Sequence, residues 1–279
     1  MGRKSIKIKK YSGEEVDFSI DKLRASLLCS GASEEDVSHI IQIVYDELYE
    51  GISTKEIFNR AFTLLKKKKS VFASKYKLKK AIYELGPTGF PFERFIGQIF
   101  KYSGFDIEVG VVVNGKCVQH EVDVIASSET QTLYIECKFH KEKGNICNVK
   151  VPLYIHARYN DIVAATKTKT SKSTEGWVIT NTRFTKDAID YGTCAGLALL
   201  SWDYPKGKGL KEQIEALGLY PITVSTLLTK REKNFLLSRD IVLCKQLLGD
   251  SFYLDHLGIS ETRKSKILKD IQFLCNVGE

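Results

Sequence analysis

Three charged side chains in the middle of the chain have the types and spacing of a hydrolytic metal site. Glu136 and Lys138 lie two residues apart in the segment TLYIECKFH, and Asp123 precedes them in HEVDVIAS. Two carboxylates can bind a divalent cation such as Mg²⁺, which polarises a phosphodiester and lowers the pKa of a bound water. A neighbouring lysine can stabilise that water or the charge that develops on the phosphate. This chemistry requires the three side chains to meet on one surface.

A sheet is the element that the surrounding sequence predicts for this surface. In TLYIECKFH apolar residues alternate with polar ones, so Glu136 and Lys138 share one face of a strand while Cys137 points to the core. The pair Asn114-Gly115 is a strong hairpin signal and predicts that strands at 107–113 and 116–126 pair with each other. We expect these strands to carry Asp123 next to the Glu136 strand.

The short SSET loop before TLYIECKFH predicts that this strand is the antiparallel neighbour of the one that carries Asp123. If Ala126 opposes Gln131, Asp123 lies opposite Tyr134 and diagonal to Glu136. Diagonal neighbours are about 7 Å apart, which is close enough for two carboxylates to share one cation. The predicted register therefore brings the two acids together.

Glu121 is an alternative to Asp123 in this arrangement. In the same register Glu121 faces Glu136 directly, so a β-bulge would decide which of the two acids serves the metal. The sequence leaves both possibilities open.

A helix is predicted at 88–103, immediately before the first strand. Its apolar residues recur at helical spacing, and Glu93 lies on the same face as Ile96, Gly97 and Phe100. A side chain with no role other than solvation would be expected on the opposite, polar face of the helix. Glu93 is therefore a further candidate for the site, and a second helix is predicted after TLYIECKFH.

The composition restricts the class of protein. The chain has 279 residues, is 43% hydrophobic and carries a net charge of +8, which excludes intrinsic disorder and predicts about two or three domains. Its seven cysteines show no CxxC or Cys/His spacing, which argues against a zinc site and a disulfide framework. We expect a cytoplasmic protein without a secretory signal or a membrane span. We place the domains at 1–87, 88–218 and 219–279.

The first of these domains is predicted to be a short hairpin followed by four helices. The hairpin turns at Ser12-Gly13, and the last helix covers residues 71–85. Ser19 or Asp21 is predicted to cap the first helix and Ser33 with Asp36 the second, and Ser53 with Glu56 forms a capping box for the third. Eight lysines and no acidic residue occupy 66–80, so much of the positive charge is concentrated there. Such a run is either a solvated helix face or a phosphate-binding surface.

The segments IKKYSGEEVDFSIDKL, GISTKEIF and FASKYKLKKAI resemble an ATP-cone, the nucleotide-sensing domain of ribonucleotide reductases. The resemblance implies that ATP or dATP acts as a regulatory ligand. It places the nucleotide phosphates on Lys10 and Lys22, with Ile8, Thr54 and Ile57 lining the site. Tyr11 stands where the family commonly has arginine, which implies a change in affinity or base preference.

Four further segments resemble the Mrr-like restriction endonucleases of the PD-(D/E)XK superfamily, namely FERFIGQIFKYSGFDIEV, HEVDVIA, LYIECKFH and GWVITNTRFTKDAIDYGTCAGLALLSWDYP. The resemblance implies that Asp123 and Glu136 ligate Mg²⁺ or Mn²⁺. It makes Lys138 the catalytic lysine and Glu93 a supporting acid. Many members of the family have glutamine at the position of Glu136.

The last domain is predicted to consist of several short helices. Leu257-Gly258-Ile259-Ser260 followed by ETRKSKILKDI resembles a helix-hairpin-helix, in which Lys264 and Lys266 would hold a DNA backbone phosphate. A plain helical packing or dimerisation module fits this sequence equally well.

These features predict a multi-domain α/β protein: a small, mainly helical ATP-cone, a central mixed-sheet PD-(D/E)XK nuclease fold and a C-terminal helical module. The predicted function is nucleotide-regulated, Mg²⁺-dependent cleavage of double-stranded DNA by a homo-oligomer, in restriction or defence against foreign DNA. One alternative is a nucleotide-responsive transcription regulator whose nuclease fold is silent. Another is a nuclease that acts on RNA.

Overall fold

The computed structural model describes residues 6–166 and 172–276. Its N-terminal part has a core of its own, built from a three-stranded sheet with the order β2-β1-β3 and from three helices. The elements are β1 (Lys7–Lys9), β2 (Glu15–Asp17), α1 (Ile20–Leu28), α2 (Glu34–Asp46), β3 (Ile52–Ser53) and α3 (Thr54–Lys68).

The predicted start signals of these helices are confirmed. The side chains of Ser19 and Ser33 cap α1 and α2, and Ser53 forms a capping box with Glu56 at the start of α3. The hairpin turns at Gly13 as expected, with φ of 87°. The parallel pairing of β3 with β1 was not predicted, because a two-residue strand leaves no periodic pattern in the sequence.

The fourth predicted helix, 71–85, is two helices in the structure, α4 (Ser70–Tyr76) and α5 (Leu78–Tyr83). The break lies at Lys77. Both halves pack into the core of the rest of the chain, α4 through Val71 and α5 through Ala81 and Ile82, whereas Ala73 of α4 belongs to the N-terminal core. The α4 helix therefore contributes to both cores.

The middle of the chain forms a five-stranded mixed sheet with the order β4-β5-β6-β7-β8. The β4, β5 and β6 strands are antiparallel, and β6, β7 and β8 are parallel. Helix α6 packs on one face of the sheet, and α7 and α8 cover the other. The elements are α6 (Phe90–Tyr102), β4 (Asp106–Asn114), β5 (Gln119–Ser127), β6 (Gln131–Lys138), α7 (Lys150–Thr166), β7 (Ser173–Thr180), α8 (Lys186–Cys194) and β8 (Ala198–Leu200).

The hairpin between β4 and β5 differs from the expectation. Asn114 pairs with Gln119, so the loop contains Gly115–Val118 and the second strand does not begin at Lys116. The loop is held by Asp161 of α7, whose carboxylate accepts hydrogen bonds from the backbone N–H of Cys117 and Val118 and from the His120 ring. This contact with α7 decides the loop length, and no local pattern reveals it.

The C-terminal helices complete the main core. They are α9 (Leu210–Leu217), α10 (Lys230–Ser238), α11 (Gln246–Gly249), α12 (Phe252–His256) and α13 (Glu261–Cys275), with a 3₁₀ turn at Ile222–Val224. Their buried residues share one cluster with those of α5, α6 and the sheet. The predicted domain boundary near residue 218 is therefore crossed by a continuous core. No helix among the described residues is long and apolar enough to cross a membrane.

Candidate active site

The register between β5 and β6 is two residues away from the predicted one. Ala126 pairs with Leu133 and Val124 with Ile135, so continuing the ladder places Asp123 directly opposite Glu136 and not opposite Tyr134. The shift arises because β5 runs on to Ser127 and the chain turns over Ser128–Gln131, where the Ser128 N–H donates to the Gln131 carbonyl at 2.9 Å. The two acids are thus cross-strand neighbours and not diagonal ones.

Asp123 lies where the ladder between β5 and β6 ends. Its Oδ2 accepts a hydrogen bond of 2.7 Å from the backbone N–H of Cys137, so the side chain itself joins the two strands. Cys137 points to the opposite, buried side, as predicted. This bond fixes the Asp123 carboxylate next to the strand that carries Glu136 and Lys138.

A distortion of the hairpin separates the roles of Glu121 and Asp123. Gly110, opposite Asp123 in β4, has φ of 68°, and the pairing of β4 with β5 is interrupted there. The residues of β5 on the two sides of Asp123 pack in different directions: Val124 packs against α6, whereas Val122 packs against α7. Glu121 remains exposed, whereas Asp123 is half-buried and bonded to β6. The geometry favours Asp123 over Glu121 as the acid next to Glu136.

Glu93 comes to the same place from the first turn of α6. The apolar residues predicted to face inward are buried and anchor the helix on the sheet. Gly89 gives the Glu93 carboxylate room, since a Cβ at that position would lie 2.8 Å from Oε1. Burial, together with the charges of Asp123, Glu121 and Glu136, raises the pKa of Glu93 to about 7. Acids from three elements therefore interact electrostatically at this place.

Glu136 is held by an arginine that sequence reasoning missed. Arg158 of α7 donates to Glu136 Oε2 at 2.8 Å and also bonds to the backbone oxygen of Glu121. Burial and the charge of Asp123, opposed by Arg158, raise the pKa of Glu136 to about 7. Arg158 lies three residues after Ile155 and four before Ile162, both buried. A charged residue on that apolar stripe was the available signal.

Lys138 ends β6 with an exposed side chain on the same face as Glu136. The next strand fixes its backbone. Thr180 Oγ1 donates to the Lys138 carbonyl at 2.8 Å, and the Asn181 side chain bonds both the N–H and the carbonyl of His140 at 2.8 Å. Thr180 and Asn181 are both fully buried. They extend the β6–β7 pairing past the last ladder residue and keep the catalytic candidate in place.

The donor set suits a hard divalent cation. Within the described residues no three or more His, Cys, Asp and Glu side chains gather around a point as a complete metal cage. Mg²⁺ does not need one, because it is commonly bound by one or two carboxylates and completes its shell with water and substrate phosphate. Asp123 and Glu136 supply two such carboxylates, and the mutual repulsion of the nearby acids is relieved when a cation binds.

All five residues predicted for nucleotide binding line one cavity in the N-terminal part. Its volume is about 320 Å³, within the range of ligand pockets. Phe58 and Tyr76 also line it, with ring centroids 4.9 Å apart. Lys10 is in an ion pair with Glu14 at 3.0 Å. The structure thus brings Ile8, Lys10, Lys22, Thr54 and Ile57 together, while Tyr11 is 74% exposed and does not line the cavity.

The predicted helix-hairpin-helix lysines are in different situations. The turn between α12 and α13 exists, with Gly258 at φ of 68°. Lys264 Nζ donates to both carboxylate oxygens of Asp255, at 2.5 and 2.7 Å, and is largely buried. This ion pair occupies Lys264 and does not support a role in phosphate binding. Lys266 is exposed.

Comparison with known proteins identifies two parts of the chain. Residues 87–203 match the family model of a restriction endonuclease domain, Mrr_cat, and residues 220–275 match the AF1548-like C-terminal family. An uncharacterized protein from Archaeoglobus fulgidus is 30% identical over 179 residues, which cover 63% of this chain and 97% of that protein. A solved structure, titled as that of AF1548, a protein of unknown function, is 28% identical with a TM-score of 0.55. The match covers 67% of this chain and 98% of that structure.

Proposed function

Because the chain belongs to the family of this Archaeoglobus fulgidus protein and contains an Mrr-like restriction endonuclease domain, we propose that it is a metal-dependent DNA endonuclease. The observation that carries the proposal is the meeting of Asp123 and Glu136 across two strands, with Lys138 on the same face and Glu93 approaching from α6. The substrate implied by a restriction endonuclease domain is DNA.

Asp123 and Glu136 would hold the divalent cation, Mg²⁺ or Mn²⁺. When bound, the cation supplies positive charge next to the phosphate and lowers the pKa of a coordinated water. Lys138 Nζ donates hydrogen bonds to the attacking water or to the phosphate oxygen on which negative charge develops. Arg158 keeps Glu136 oriented and favours its ionised form.

Glu93 is suited to move a proton. With a pKa of about 7, it is partly ionised near neutral pH and can both accept and release a proton there. Among the charged groups around Glu93, Asp123 has the strongest effect on its pKa. Glu93 therefore borders the carboxylates that would hold the cation. We assign it the role of a supporting carboxylate that acts as general base and accepts the proton of the attacking water.

The N-terminal cavity would bind ATP or dATP and regulate cleavage. Lys10 and Lys22 provide positive charge for phosphates, and the N-terminus of α1, next to Ser19 and Lys22, adds backbone N–H donors. Apolar walls and the Phe58 and Tyr76 rings are suited to a base and a ribose. We propose that the protein's biological role is restriction or defence against foreign DNA. It would act in the cytoplasm as a homo-oligomer with two active sites.

The test is plasmid cleavage by the full-length protein with Mg²⁺ or Mn²⁺, against EDTA, each with and without ATP or dATP. Wild type should nick or linearise the plasmid only with metal, and Asp123→Ala and Lys138→Ala should not. Glu108→Ala, which removes an exposed carboxylate from β4, serves as the control and should cut like wild type. DNA left intact by wild type under all conditions contradicts the proposal and favours a silent regulator. Cleavage of RNA alone would reassign the substrate.

A further inference from the structure

A cleft of about 620 Å³ lies where the N-terminal helices, the sheet and the C-terminal helices meet. Its walls come from α5 and the turn after it, from the loop that follows β6, and from α10. The lining residues are Lys77, Tyr83, Glu84, Gly86, Pro87, Lys141, Thr223, Lys230, Lys233 and Asn234. Four of them are lysines and one is acidic, so the cleft, which we call the lysine cleft, has an excess of positive charge.

Two of these lysines are in positions that are costly without an anion. Lys77 is only 8% exposed, and its Nζ lies 3.3 Å from Glu84 Oε2. Lys233 Nζ donates to the Thr223 carbonyl at 3.0 Å and faces Lys77. Burial, together with the charge of Lys77, lowers the pKa of Lys233 to about 8. One carboxylate cannot neutralise both ammonium groups, so an additional anion would relieve the repulsion.

The other two lysines are free to contact a ligand. Lys141 and Lys230 are exposed at the mouth of the cleft. Throughout the part of the chain that the structure describes, neither is engaged in an ion pair or a side-chain hydrogen bond. Together with the buried pair they form a cationic surface on three separate segments of the chain. Lysine binds phosphate as a point charge and does not need a fixed approach direction.

The lysine cleft begins beside the site formed by Glu93, Asp123 and Glu136, which we call the acidic site. Lys141 is three residues after Lys138, so their Cα atoms are at most about 11 Å apart. Gly86 of the cleft packs against Phe139, since a Cβ on Gly86 would lie 2.9 Å from that ring. The same turn leads into α6, whose first residues carry Glu93. A polynucleotide strand that passes Lys138 would therefore run on past Lys141.

We propose that the lysine cleft binds the DNA backbone phosphates that flank the cleaved bond. The inference rests on the proposed function. It adds to that function a binding surface for the substrate, which the α5 and α10 segments form outside the sheet. Phosphates are the anions that a DNA strand presents at regular intervals, and their binding to lysines is independent of base sequence. The C-terminal domain thereby contacts DNA through α10.

The test is binding of a fluorescent DNA duplex in EDTA, where cleavage is blocked, measured by anisotropy at several KCl concentrations. We expect Lys141→Gln combined with Lys230→Gln to weaken binding roughly tenfold and to lower the slope of log affinity against log salt by about 2. Lys101→Gln removes an exposed lysine from the far end of α6 and is the matched control. Its affinity should stay within about twofold of wild type. All three replaced side chains are exposed, and their thermal melting should match wild type.

The outcomes separate this inference from the proposed function. Wild type that binds and cuts DNA, with the double variant binding as tightly as Lys101→Gln, overturns the lysine cleft and leaves the nuclease intact. Wild type that binds no duplex in EDTA overturns the lysine cleft, and wild type that also leaves plasmid uncut with Mg²⁺ and Mn²⁺ overturns both. A titration with ATP tests the other possible ligand of the lysine cleft, the phosphates of a free nucleotide. If Lys230→Gln loses an ATP site while its DNA affinity is unchanged, the cleft belongs to a free nucleotide and the DNA assignment is wrong.

Discussion

The acidic site and the N-terminal cavity solve opposite electrostatic problems. At the acidic site, Glu93, Asp123 and Glu136 lie in a partly buried place, where burial raises the pKa of each and the charges of nearby carboxylates add to the shift. In the N-terminal cavity Lys10 and Lys22 line an apolar pocket with its own core. We propose that a cation binds at the first region and an anion at the second. The contrast in charge supports this proposal of two ligands of opposite charge.

The largest expected effect is on catalysis at the acidic site. Glu136→Gln removes a proposed metal ligand, so the cleavage rate should fall on the order of 10²–10³-fold or more. The melting temperature of the metal-free protein should not fall, because the substitution also removes one of the repelling charges. Single-turnover cleavage and thermal melting measure the two effects, with Glu108→Gln on β4 as the control. Loss of stability in parallel with activity would make Glu136 a structural residue.

A smaller effect is expected at the arginine that supports the site. Arg158→Met removes the hydrogen bond to Glu136 and the opposing charge, so the pKa of Glu136 rises. Cleavage at pH 7 should fall about 10–100-fold, as is typical for residues that orient metal ligands. Because the ionised carboxylate is the active form, raising the pH to 8.5 should recover part of the rate. A pH–rate profile unchanged in shape would contradict this role.

The acidic site also predicts a pH dependence of metal binding. The pKa of Glu136, a proposed ligand, is about 7, and a protonated carboxyl is a poor ligand. Affinity for Mg²⁺ or Mn²⁺ should therefore increase at least about tenfold as the pH rises from 6 to 8, with release of protons. Calorimetry in two buffers of different ionisation enthalpy measures both quantities. Affinity that is constant over this range would show that Glu136 does not hold the metal.

The smallest expected effect concerns the N-terminal cavity. Lys22→Ala should weaken ATP binding about tenfold, because it removes one of two phosphate-facing charges. Lys9→Ala, on the exposed side of β1, is the control and should bind like wild type. Calorimetric titration with ATP and dATP gives both affinities. Equal ATP affinity in Lys22→Ala and Lys9→Ala would show that the cavity does not bind the nucleotide. The acidic site would then be the single ligand site of the two regions compared.

Much of this contrast could be predicted from the sequence, because it depends on which face a residue occupies. The inward face of α6 and the capping box at Ser53 follow from local spacing, and the structure confirms both. The register error at β5 and β6 was two residues, and a shift of two keeps every side chain on its own face. Asp123 and Glu136 were therefore expected to converge even though their pairing was wrong.

The remainder depends on contacts between distant segments. The loop Gly115–Val118 is set by Asp161, and Glu136 is held by Arg158 from α7. A local pattern can mark a charged residue such as Arg158 on an apolar stripe, but it does not identify the distant partner. The lysine cleft is the clearest case, since its walls come from three parts of the chain.

The most direct test of the central claim, that Asp123 and Glu136 hold the catalytic cation, is to locate the metal by chemistry. Fe²⁺ replaces Mg²⁺ in the full-length protein, and ascorbate with hydrogen peroxide generates radicals that cut the polypeptide next to the bound ion. We predict fragments that end near Asp123 in β5 and near Glu136 in β6, suppressed by excess Mg²⁺ and absent from Asp123→Asn. Cuts at other places, or cuts that Mg²⁺ and Asp123→Asn leave unchanged, would contradict the account.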